Sequence, residues 1–108
     1  MRLLQTLETR LRLNERLTES AERIASSKFE QVWERVRGHV FDLGSNEARG
    51  YVRARAGMIV DRALHDAAPK LSSAAVAKLR VLTLDTVIRR VTAHVHETRQ
   101  PHLERRAA

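Results

Sequence analysis

Apolar side chains along this chain return every three or four positions, the period of a helix with one face turned away from water. At roughly 100° per residue, Leu4, Leu7, Leu11, Ala21, Ala25, Phe29, Val32, Trp33, Val36, Val40 and Leu43 fall on one side. Asn14 and Thr18 lie on the same side and interrupt its middle. The spacing predicts one long helix over residues 2–43. Ser27 and Glu30 have the spacing of a capping box, so a break near Ser26 is the alternative. A true break has no reason to keep the phase on either side, and the continuous helix is favoured.

The stretch "LGSNEA" at 43–48 reads as a turn, with Gly44 as a left-handed C-cap, Ser45 as an N-cap and Glu47 in the next first turn. A second helix is expected over 46–67. "APK" ends it, because Pro69 has no N–H to donate and biases Ala68 away from helical angles. Ser72 is the natural cap of a third helix, expected over 72–98, with "PHLERRAA" at 101–108 left as a flexible basic tail. The expected architecture is a single all-α domain over 1–100. It is a helical bundle in which a long N-terminal helix is followed by a helical hairpin, completed by dimerisation.

The dimer expectation comes from mismatched lengths. Helices of those spans run roughly 60, 33 and 40 Å, so the two shorter ones cannot cover the first. Leu3, Leu4, Leu7 and Leu11 are then left on a projecting arm, while Leu13, Leu17 and Ile24 form a strip displaced from the main seam. An arm this apolar is adhesive. A second copy is the simplest cover, and these seven residues are the expected self-association surface. The third helix carries a seam with coiled-coil spacing, Ala77, Val81, Leu84, Ile88, Val91 and Val95, plus a second patch from Ala75, Leu79 and Leu82. A helix apolar on two sides is expected between two partners.

Charge changes the picture little. The chain has 108 residues with a formal charge of +7, and arginine outnumbers lysine 17 to 3. "NEARGYVRARAGMIVDRA" at 46–63 concentrates four arginines, but Arg49 and Arg53 flank one side of the apolar face and Arg55 and Arg62 the other. Cations that track a nucleic-acid backbone share one accessible stripe. These are expected to lay their stems along the rim of a buried seam, with Arg55 stacked on Tyr51 and Arg62 beside Asp66. The positive excess gathers after residue 71, so the alternative function is nonspecific nucleic-acid association through Arg89, Arg90, Arg99, Arg105 and Arg106.

Little chemistry is offered. There is no cysteine. The opening "MRLLQTLETRLRL" never sets more than two apolar residues together, so neither a secretion signal nor a membrane span is expected, and the location expected is the cytoplasm. His94 and His96 point to different sides of a helix, His65 follows Asp61 by four, and His39 stands near the Gly44 turn, where it can serve the helix end. None of these makes a metal-ligand pattern, and no nucleophile turn, phosphate loop or dinucleotide fingerprint is present. Gly50 and Gly57 either permit close helix contact or are tolerated weaknesses. The expectation is a non-enzymatic binding or scaffolding module, without metal or cofactor, that works through helix–helix association.

Overall fold

The computed structural model describes residues 2–67 and 70–107, with side chains described for 5–67 and 70–99. Its elements are three α-helices, α1 (Arg2–Val36), α2 (Ser45–Ala67) and α3 (Ser73–Ala107), with a 3₁₀ turn at Val40–Asp42 between the first two. No strand occurs among the described residues. The protein is an all-α bundle whose long first helix is followed by two more.

α1 passes through Ser26 unbroken. The Ser27 hydroxyl donates to the Ile24 carbonyl within the same helix at 3.0 Å, so it caps nothing. The helix stops at Val36, earlier than the seam implied. Beyond it the bonds tighten from the Arg37 N–H to Trp33 carbonyl to the shorter reach of His39 to Val36, Asp42 to His39 and Leu43 to Val40. Gly38, a poor helix former, sits at that change. Because the tightened turn advances in nearly the same direction, Val40 still lands in the core, and this is why the apolar phase persisted beyond the α-helix.

Gly44 does not take the left-handed conformation; no glycine does. Leu43 leaves the turn in extended geometry, and the Gly44 carbonyl accepts the Ala48 N–H at 2.8 Å, which makes Gly44 the N-cap of α2. At α3 the expected cap is present: Ser72 Oγ accepts the Ala75 N–H at 3.2 Å. α3 also outruns its expected end. Its helical backbone continues through Pro101 to Ala107, where a tail was anticipated. Proline's fixed φ is itself helical, and at this distal end it forfeits one hydrogen bond without stopping the spiral.

Side-chain links fix the directions of the helices. Lys78 Nζ donates to Asn14 Oδ1, and an Arg90 guanidinium nitrogen donates to Ser26 Oγ, each joining residues 64 apart. A constant offset means that α1 and α3 run parallel. α2 runs antiparallel to α3, held along the seam by Arg53–Asp85 at 3.7 Å and Arg80–Asp61 at 2.6 Å. The result is an up-down-up bundle measuring 63 × 28 × 21 Å.

The core is built from small side chains. Ala21, Ala25, Val32 and Val36 of α1, Val52, Ala56 and Val60 of α2, and Leu79, Val87 and Val91 of α3 are all fully or almost fully buried. Thr83 and Thr86 are buried with them, their hydroxyls donating to the carbonyls of Leu79 and Leu82 at 2.7 Å. The α3 seam therefore differs from the expected one at its start. Leu79, Thr83 and Val87 face inward, whereas Ala77 and Val81 are exposed. α3 touches both α1 and α2, and its buried face is centred between them.

At the lower end of α1, Phe29, Trp33 and Phe41 form an aromatic group with His94 of α3. The Trp33 ring meets His94 edge-on at 4.5 Å and Phe41 at 5.8 Å. Arg99 closes this end by donating to the Phe41 carbonyl.

Candidate functional site

The candidate surface is the start of α1, and the offset between α1 and α3 exposes it. The 64-residue register places Ser73, the first residue of α3, level with Thr9. About two turns of α1 therefore extend past the bundle, roughly 10 Å at 1.5 Å per residue. The cause is the stagger of two equally long helices, since α1 and α3 have 35 residues each. That replaces the expectation that α1 is much longer than both its partners.

Leu7 is 53% exposed and Leu11 61%, on nearly the same side of α1 that buries Ala21, Ala25 and Val32 further along. The inward stripe thus runs through Leu11, level with the first turn of α3, and on to Leu7, past the point where α3 begins. Leu13 is 45% exposed on another side. The side chains of Leu3 and Leu4 lie outside those described.

Two members of the expected association surface sit elsewhere. Leu17 is only 4% exposed and belongs to the core, and Ile24 is half-buried against it. The strip displaced from the main seam is therefore partly covered within one chain, with Leu13 left exposed. Their strip faces the groove where α2 and α3 meet, so two partners cover α1 from two directions.

The basic residues do not assemble. Arg90 turns toward α1, where it pairs with Glu22 and bonds Ser26. Arg89 leans on Thr86 at 3.4 Å, and Arg99 is tied to the Phe41 carbonyl. The side chains of Arg105 and Arg106 lie outside those described. Within α2 the arginines do straddle the seam: Arg53 reaches Asp85 on α3, while Arg55 lies over the Tyr51 ring at 5.3 Å. Arg62 makes no ion pair with Asp66; the neighbouring Asp61 takes Arg80 instead.

The histidines are dispersed. His94 packs against Trp33 and Phe29, His39 sits edge-on to Tyr51 at 5.3 Å, and His96 points to the other side of α3 beside Arg99. His39 thus lends its ring to the packing of α2, and its imidazole is not used to cap the helix end. Among the described residues, no group of three or more His, Asp or Glu could hold a metal ion. No described helix is long and apolar enough to cross a membrane.

No family model matches the chain, and no similar protein was found among curated proteins or solved structures.

Proposed function

We propose that the protein is a cytoplasmic association module without catalysis of its own, which pairs with a second copy through the N-terminal arm of α1. The observation that carries this reading is the exposure of Leu7 and Leu11 on the side of α1 that, further along, buries Ala21, Ala25, Val32 and Val36. The occupant follows from the shape of the overhang. From Asn14 onward α3 already lies on this face, so a parallel partner helix would collide with it. An antiparallel arm from a two-fold-related copy can lie on the overhang and the first turn beyond it, as far as Leu11, and carries its own bundle away in the opposite direction.

The expected affinity is modest. Leu7 and Leu11 each keep about half their surface in water, so covering one gains about 1–1.5 kcal/mol. Four such side chains across a two-fold contact gain about 4–6 kcal/mol, which meets only the low end of an association cost of about 4–15 kcal/mol. A weak, reversible dimer with a dissociation constant in roughly the millimolar range or above is expected.

Sedimentation equilibrium of the full chain over a wide concentration range tests this. Mass should rise with concentration, and a Leu7→Arg/Leu11→Arg variant should stay monomeric with its helix content unchanged. A monomer at every concentration, or a dimer indifferent to the double substitution, refutes the reading.

A further inference from the structure

Between the middle of α1 and the connection from α2 to α3 lies a half-open cavity of about 750 Å³. Ile24, Leu71 and Leu79 line its apolar part, and Ser20, Arg23 and Lys70 its polar edge. The volume falls in the range of small-molecule sites. Leu79 is almost fully buried and Ile24 half-buried, so the floor belongs to the packed interior, while Leu71 at the mouth is exposed.

The charge of the edge is what distinguishes this hollow. Among the described residues no carboxylate lines it. Among the described residues neither Arg23 nor Lys70 takes part in an ion pair. Arg23 donates only to Ser20 Oγ, at 3.3 Å, a contact that keeps the guanidinium near the edge. Two other hollows lack this combination. The one beside Phe29 contains Glu97, and its Arg90 is already paired with Glu22. The one beside Val95 is about 290 Å³, and its Arg99 is engaged with the Phe41 carbonyl.

We propose that this cavity binds a small amphiphile with one anionic head, the simplest case being a medium-chain carboxylate. The tail lies on Ile24, Leu71 and Leu79, and the head sits at the edge that carries Arg23 and Lys70. Burial of the tail supplies most of the affinity, because charge pairs this exposed contribute about 0–1 kcal/mol each. The two cations chiefly decide the sign of the head. The inference is independent of arm pairing, since the cavity uses none of Leu7, Leu11 and Leu13.

The test is a titration of methyl-labelled full-length protein with decanoate, followed by NMR. The isoleucine methyls supply an internal control, because Ile24 lines the cavity while Ile59 and Ile88 are buried elsewhere. Saturable shifts are expected at Ile24, Leu71 and Leu79, with Ile59 and Ile88 unmoved. Decyltrimethylammonium, with the same tail and the opposite charge, should bind about ten-fold more weakly. An Arg23→Glu/Lys70→Glu variant should reverse that order. Acetate and inorganic phosphate, heads without tails, should not saturate.

The substituted side chains are exposed, so the melting curve of the variant should match the parent; if it does not, the Lys70→Ala variant must still narrow the preference between the two ligands. The proposal is overturned by the absence of saturation at Ile24 at millimolar decanoate, by equal binding of the two charged amphiphiles, by tight binding of phosphate alone, or by shifts centred on Leu7 and Leu11.

Discussion

Leu11 and Leu17 sit less than two turns apart on α1, yet truncating them should have opposite consequences. Leu17 is 4% exposed and lies in the core. Replacing it with alanine removes three buried carbons, about 0.8 kcal/mol each, or about 2.4 kcal/mol of transfer free energy. The unfilled space adds to this, at roughly 24 cal/mol per Å³, so the total falls at about 2–5 kcal/mol. At about 3 kcal/mol the melting temperature drops by roughly 12–24 °C for a domain near this size. Leu11 keeps most of its surface in water within one chain, and alanine is at least as good a helix former, so its truncation should change monomer stability by less than about 0.5 kcal/mol.

Urea and thermal melts followed by far-ultraviolet circular dichroism and by emission of the single tryptophan, Trp33, measure both effects. They should be run dilute, where monomers dominate. Repeated at high concentration, the parent should gain stability by mass action while Leu11→Ala does not. If Leu11→Ala costs as much as Leu17→Ala in the dilute samples, the arm is covered within its own chain and the case for pairing is lost. Equal, small effects from both would mean that α1 is not packed as described.

Three further outcomes are expected. Gly50→Ala and Gly57→Ala should each stabilise the protein by about 0.5–1 kcal/mol, because a Cβ at Gly50 meets nothing within 4 Å and one at Gly57 meets only the Arg80 guanidinium at 3.7 Å; a loss of stability in urea melts would show that α2 packs more closely than this. Thr83→Val should be neutral or stabilising by up to about 1 kcal/mol, since the buried hydroxyl serves only the carbonyl four residues back in its own helix; a cost above about 2 kcal/mol would reveal a partner the hydroxyl satisfies elsewhere. Glu22→Gln should cost no more than about 1 kcal/mol and less in high salt, because the Arg90–Glu22 pair is more than a third exposed on both sides; a salt-independent loss above 2 kcal/mol, about twice the ceiling for exposed pairs, would contradict that placement.

Much of the architecture was legible in the linear pattern because helices announce themselves locally. The 3.6-residue period marked three helices, Ser72 marked a cap, and the unbroken phase across Ser26 marked one continuous rod. Each depends on contacts within a few residues of the chain. Errors arose where a local signal had two physical meanings. Gly44 carries the signature of a C-cap but serves as an N-cap. Pro101 ordinarily ends a helix but is passed through. Counting threonine as polar hid Thr83 and Thr86 from the core, and that shifted the expected face of α3 toward Val81.

What the residues alone determined is therefore the set of rods and most of their sticky faces. The stagger between α1 and α3 was decided only in three dimensions, and contacts such as Lys78–Asn14, joining positions 64 apart, record it. No periodicity within a helix encodes its offset from another, because a regular stripe packs almost equally well after sliding by a turn. That stagger sorts the leucines. It leaves Leu7 beyond the end of α3 and Leu11 at its first, sparsely covered turn, and it draws Leu17 inside. The cavity with Arg23 and Lys70 at its edge depends in the same way on where α2 ends against α1, and its residues are scattered across more than half the chain.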